Sequence, residues 1–303
     1  MIKVIMIVLL ATGALFASGD IIVYKVENAK GVITPASIEK TLIKAGYAVP
    51  ENRDMNGPFK KQFQKTSFDT YNLLIAYHKK LATKLVIKHE NAGVFVPFSV
   101  AIYQKKGDKF LHLAFLSAKK QSQILGFKDA LLDEIEKENR KVFLQALPDA
   151  KEEKLSYASI PTDKKLLTSV VFEVEDDESD DNKEELEMVI DTGLKPIGFI
   201  KASFNTFGVD LDEAKNEDYE FYDAYSLCKL KVIYNVALTH PEAGAFAPCT
   251  MALYHKNGTN KTVMVFPNVY NWISTLGLKD KKLIDLLEKA QKDIVALLNS
   301  ATE

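Results

Sequence analysis

His89-Glu90-Asn91-Ala92-Gly93-Val94-Phe95-Val96-Pro97 and His240-Pro241-Glu242-Ala243-Gly244-Ala245-Phe246-Ala247-Pro248 are two versions of one pattern. They stand at an offset of 240 − 89 = 151 residues, which continues without a gap on either side. It pairs Tyr71 with Tyr222, Tyr103 with Tyr254, Gly107 with Gly258 and Phe115 with Phe266. Lys128-Asp129 pairs in the same way with Lys279-Asp280. A period of roughly 150 residues is far longer than a solenoid repeat and suits a whole domain. The chain is therefore read as a tandem duplication.

Working outward, each half opens on an apolar strand, Ile21 to Val26 and Ser169 to Val174. A helix follows. Thr34-Pro35 supplies an N-cap and a first-turn proline, and Gly46 ends it; in the second half Lys183 to Thr192 is expected to stop at Gly193. Extended segments at 47–50 and 194–203 come next, then a long polar loop, then strands near 71–76 and 222–227. Short helices are expected at 80–88 and 231–239. The Ala-Gly turn then leads into a hairpin, closed by Lys106-Gly107-Asp108 in one half and Asn257-Gly258 in the other. A long amphipathic helix ends each half, at 128–147 and 279–298. Local strand pairing with helices set between the strands predicts an α+β fold, two tandem copies of a domain with helices packed on an antiparallel sheet. The expected divisions are a signal peptide at 1–19, a first repeat at 20–148, a charged linker at 149–168 and a second repeat at 169–303.

The chain is 47% hydrophobic and 26% charged, ordinary for a globular protein with two cores. A net charge of −2 argues against a nucleic-acid surface. Lys3, the apolar run Val4 to Phe16 and the small residues Ala17-Ser18-Gly19 have the form of a secretory signal cleaved before Asp20. The run is short for a membrane span, so after cleavage no integral membrane segment is expected. The expected location is periplasmic or secreted. The acidic run containing Asp176, Asp177, Glu178, Asp180 and Asp181 lacks the spacing of a calcium loop and is read as solvated.

Both cysteines, Cys228 and Cys249, lie in the second half; Tyr77 and Phe98 hold their places in the first. Here the sequence resembles a bacterial family, the domain-of-unknown-function 302 family. Its core reads Cys-Asn-Pro, a short helix with Leu-Ala, then Pro, Gly, and Leu-Pro-Cys opening a strand. Cys228, Pro241, Gly244, Pro248 and Cys249 match in order, with a sequence separation of 249 − 228 = 21 for the cysteines. Pro267 is similar to a frequent Asp-Pro of the family. Lys229-Leu230 departs from Asn-Pro, and Phe266 from the Asp. The first half keeps Leu81-Ala82, Gly93 and Pro97 without either cysteine, as a degenerate copy would. The resemblance implies a compact β-α-β-rich fold that often dimerises, here as a pseudo-dimer within one chain. It implies no established activity.

Three readings of the thiols stay open: small core residues, a disulfide, or a reactive or ligand-binding pair activated at a helix N-terminus. One recurring histidine per half, His89 and His240, is too few for zinc, so no metal and no cofactor is expected. Gly93 and Gly244 are expected to take positive φ, with Pro97 and Pro248 opening the strands. Tyr222, His240 and Tyr254 are candidates for the rim of a ligand site. Three functions follow as expectations. The first is an exported, non-catalytic binding or sensing protein, with an unknown small ligand or protein partner in a cleft between the halves. The second is a thiol-dependent redox or sulfur-handling protein using Cys228 and Cys249, favoured by a pocket enclosing Cys249. The third is a structural module, favoured by a filled interface between halves. Whether the protein is an enzyme stays open, and dimerisation of the chain is allowed.

Overall fold

The structure is a computed structural model that describes residues 19–173 and 179–301. The expected signal run, and Asp176, Asp177 and Glu178 of the acidic run, lie outside the described residues. The first half runs β1 (Ile21–Glu27), α1 (Pro35–Lys44), β2 (Tyr47–Asp54), α2 (Asn56–Phe63), β3 (Phe68–His78) and α3 (Lys79–Lys88). A 3-10 turn (Glu90–Phe95), β4 (Phe98–Lys105), β5 (Phe110–Leu116), α4 (Ala118–Leu125) and α5 (Ala130–Ala146) complete it. A short strand, β6 (Lys151–Glu152), follows. The second half repeats the order: β7 (Leu167–Glu173), α6 (Ser179–Leu194), β8 (Ile200–Thr206), α7 (Gly208–Glu213), β9 (Tyr219–Cys228) and α8 (Leu230–Ala237). Then come a second 3-10 turn (Pro241–Phe246), β10 (Cys249–Lys256), β11 (Lys261–Pro267), α9 (Tyr270–Thr275) and α10 (Lys281–Asn299).

Each half forms one antiparallel sheet. The orders are β2-β3-β4-β5-β1-β6 and β8-β9-β10-β11-β7, the same topology twice with β6 added to the first. The registers repeat too. Ala76 pairs with Phe98 in the first sheet, and Leu227 with Cys249 in the second, at the same offset of the sequence. The helices α1 and α5 cover the outer face of the first sheet through Ile38, Leu42, Val142 and Phe143. The helices α6 and α10 cover the outer face of the second through Leu186, Ile190, Leu194, Ile294 and Leu298. The inner faces share one central core drawn from both halves.

Local chemistry explains the element ends that the sequence showed. The Thr34 hydroxyl accepts from the Ser37 amide at 3.1 Å, and Ser37 Oγ accepts from the Thr34 amide at 3.0 Å, closing a capping box over Pro35. Gly107 and Gly258 turn the two hairpins with φ of 75° and 74°, which other residues adopt at a cost.

Several elements differ from the sequence reading. The helix α6 passes through Gly193 and ends at Leu194. A Cβ on Gly193 would stand 2.1 Å from Leu297 Cδ1 of α10, so this glycine permits close helix packing where a stop was expected. The expected polar loops hold the short helices α2 and α7. Their hydrophobic anchors, Phe59 and Leu211, are buried in the shared core, a partner that local sequence does not reveal. Within the segment read as a linker, β6 pairs with β1, and the Ile160 amide donates to Ser274 O at 2.8 Å.

The halves meet about a pseudo-two-fold axis, and the repeated residues make the contacts reciprocally. Tyr71 donates to Pro241 O at 3.0 Å, and Tyr222 to Glu90 O at 2.5 Å. Ser99 donates to Pro248 O at 2.9 Å, and Thr250 to Pro97 O at 3.2 Å. Residue i meeting residue j while the equivalent of j meets the equivalent of i defines an isologous interface. Gly93 and Gly244 lie here, and neither has the positive φ expected of it. A Cβ on Gly93 would lie 2.5 Å from Tyr222 Oη; one on Gly244 would lie 2.6 Å from Ala101 Cβ. The opposing half requires the missing side chain.

Candidate functional site

The structure places the tyrosine candidates inside this interface. Tyr222 is 0% exposed, and its hydroxyl also accepts from the Gly93 amide at 3.0 Å. Tyr254 stacks on it at 5.3 Å and donates to Asn91 Oδ1 at 3.3 Å. Burial raises the Tyr222 pKa well above its usual value, so the phenol stays a neutral donor. Such side chains fill the centre of the interface; at its edge an open cleft of about 1010 Å³ lies between Asp20, α4, Ser159 and Ser274. His240 follows α8, with Nδ1 2.9 Å from Thr239 Oγ1 and its ring 5.0 Å from that of Tyr157. Burial and then Lys105 lower its pKa, which favours the neutral imidazole. His89 lies 2.7 Å from Asp129 Oδ2 and stacks on Phe127. Among the described residues no three His, Cys, Asp or Glu side chains gather as a metal site.

The cysteines come together elsewhere, inside the second half. Cys228 ends β9 one residue before Lys229, the N-cap of α8. The chain returns through the 3-10 turn and the cis Ala247-Pro248 bond to Cys249, the first residue of β10. Cys249 pairs in register with Leu227, so Cys228 is its diagonal neighbour. A strand spacing near 4.8 Å and a rise near 3.4 Å put the two Cα atoms about 6 Å apart. Both thiols are free and line one chamber of about 60 Å³. Its other walls are almost wholly apolar, with Val232, Ile233, Met251, Phe266, Trp272 and Leu287 among them. Cys228 is buried and Cys249 half-buried.

Burial decides the state of these thiols. It pushes Cys228 up to about 12, with the neighbouring Cys249 adding to the rise and Arg53 opposing it. It pushes Cys249 to about 12 as well, against a lowering contact from the Trp272 indole. The activation expected at a helix N-terminus is outweighed by desolvation. Cys249 donates its S–H to Phe246 O at 3.3 Å, as a thiol would.

The first half builds its equivalent positions differently. Tyr77 and Phe98 replace the cysteines, Gln121 replaces Trp272, and Asn139 and Phe143 replace Ala290 and Ile294. Tyr77 reaches Asn205 Oδ1 at 3.1 Å, Phe98 packs edge-on against Phe143, and Asn139 accepts from Tyr47 at 2.9 Å. Larger and hydrogen-bonded side chains occupy what the second half leaves as a chamber. Trp272 escaped the sequence reading because it lies in a short helix with no repeated aromatic at its offset. A second unanticipated feature is Glu242, 4% exposed, whose carboxylate accepts from Tyr157 at 2.5 Å. Burial raises the Glu242 pKa against the lowering effect of that bond.

Comparison with known proteins bears on these observations. No curated protein matches the chain. Among solved structures, an uncharacterised conserved protein DUF302 from Bacillus stearothermophilus is 18% identical, with a TM-score of 0.37. That match covers 46% of this chain and 100% of the other. The family model described as "Domain of unknown function DUF302" matches twice, over residues 32–145 and 184–301. The chain therefore belongs to the DUF302 family, of which it carries two copies in tandem.

Proposed function

We propose that this protein is an exported, non-catalytic binding protein that holds a very small ligand in the thiol-lined chamber of its second half. The chamber itself carries the reading. Two cysteines and a tryptophan converge on a cavity in one repeat, where the other repeat has larger or hydrogen-bonded residues. The reading puts the ligand in the second half because the tyrosines of both halves fill the centre of the interface. Holding is favoured over turnover because both thiols are kept protonated, and a protonated thiol is a poor nucleophile. Export rests on the form of residues 1–19. A chain starting at Asp20 would keep β1 whole, with Ser117 and Ser159 still holding Asp20.

The test is native mass spectrometry of protein from the exported fraction, alongside Cys249→Phe, which installs the first half's residue. The native chain is expected to start at Asp20 and carry an adduct that the variant lacks. Equal adducts on both proteins would remove the chamber as the site, and a cytosolic chain starting at Met1 would remove export. The thiol-redox reading is the alternative, favoured by the chamber that encloses both Cys228 and Cys249. Two thiols reacting rapidly at neutral pH would select it.

A further inference from the structure

We propose that the chamber binds one soft monovalent cation, copper(I) or silver(I), between the sulfurs of Cys228 and Cys249. This rests on the chamber being the binding site and names the class of ligand it takes. Size is the first argument. An apolar cavity of about 150 Å³ is what admits benzene. At about 60 Å³ this chamber has room for an occupant of only a few atoms.

The donors are the second argument. Among the described residues no carboxylate and no imidazole lines the chamber. The Lys229 ammonium on its wall is held by Asp293 at 2.7 Å. The Gln291 amide is engaged at both ends, by the Val269 amide at 3.2 Å and Thr168 Oγ1 at 2.9 Å. What remains for an occupant is sulfur: two thiols and the thioether of Met251. Calcium and magnesium need a shell of oxygens, and structural zinc needs four nitrogen or sulfur ligands. Thiolate and thioether donors in a small set select copper(I) instead.

Access and shielding agree. Cys249 is half-buried and so nearer to solvent than the buried Cys228. Trp272 closes the wall beside Cys249, backed by Phe246 at 5.5 Å. On binding, each thiol gives its proton to solvent and forms one sulfur–metal bond. The metal stays at +1, two protons leave, and the bound group carries a net −1 next to the Lys229–Asp293 ion pair.

The experiment titrates the mature full-length chain with silver ion, and separately with copper(I) against a chromophoric chelator, under anaerobic conditions. Native mass, far-ultraviolet circular dichroism and thiol alkylation are read together. One ion per chain is expected, with a mass gain of the metal less two protons and both thiols protected from alkylation. Cys228→Ser and Cys249→Ser should each weaken binding by more than the roughly 10–100-fold that outer-shell changes cost. Cys249→Phe should abolish binding while retaining the wild-type dichroism, which covers the case of a serine variant that does not fold. Undiminished binding by Cys249→Phe, or no one-to-one complex at all, would overturn the proposal. If no complex forms while Cys249→Phe still removes the native adduct, the chamber remains the site and only the soft-cation assignment falls.

Discussion

Gly93 and Gly244 show how one missing side chain can serve an interface. Neither is at positive φ, so alanine would fit the local backbone. The obstacle is across the axis, at Tyr222 Oη and Ala252 Cβ for one and at Ala101 Cβ and Leu73 Cδ2 for the other. Overpacking of this kind costs about 1–3 kcal/mol, more than the ~0.4–1 kcal/mol gained by restricting the unfolded chain. Gly93→Ala and Gly244→Ala should each lower the urea midpoint accordingly. Gly107→Ala is the control for backbone strain alone, with nothing within 4 Å of its Cβ. Its loss should be smaller, about 1 kcal/mol. Equal losses at all three sites would contradict the interface explanation.

At the scale of elements, the start of α5 is tied to the end of α3 by one carboxylate. Asp129 caps α5 by accepting from the Leu131 amide at 3.0 Å, and its other oxygen lies 2.6 Å from Lys88 and 2.7 Å from His89. The Leu131 bond, then Lys88 and His89, hold its pKa well below the usual carboxylate range. As pH falls past about 4, Asp129 in the unfolded chain takes up a proton before the folded one does. The unfolded state then binds more protons, so this contribution is full above about pH 4 and declines below it. Asn can still cap the helix, so Asp129→Asn removes chiefly the charge. The stability gap between wild type and Asp129→Asn, read from urea midpoints, should be widest near neutrality and shrink below pH 4. A gap that widened in acid would reverse the sign argued here.

For the whole molecule, the pseudo-two-fold makes each half the other's missing wall. The second half alone, residues 167–301, would expose Tyr222, Tyr254, Phe246 and the inner face of its sheet. Apolar surface on that scale seeks a partner, and its contact set is already self-complementary. Thr250 donates across the axis to Pro97 O, whose equivalent in the second half is Pro248. The isolated half should therefore be a dimer by light scattering, and Gly244→Ala should shift it toward unfolded monomer. A stable folded monomer would show that the interface is dispensable.

The sequence by itself determined the duplication, the succession of the main strands along the chain and the capped start of α1. These depend on local signals: a repeated offset, the Thr34-Pro35 cap, the glycines of the hairpins and the apolar period of α10. It also carried the family resemblance, because cysteine and proline spacing survives in the second half. It misjudged Gly93, Gly244 and Gly193, since a glycine reads as a turn until the neighbour that needs its space is known. Tyr222 and Tyr254 looked like a ligand rim for the same reason, as a hydroxyl on a strand does not reveal that a carbonyl of the other half receives it. Only the tertiary structure set Cys228, Cys249 and Trp272 around one chamber. That step joins a strand end, a strand start and a short helix brought together by packing alone. The state of the thiols followed from it, because burial is a property of the assembled core and outweighs the nearby helix terminus.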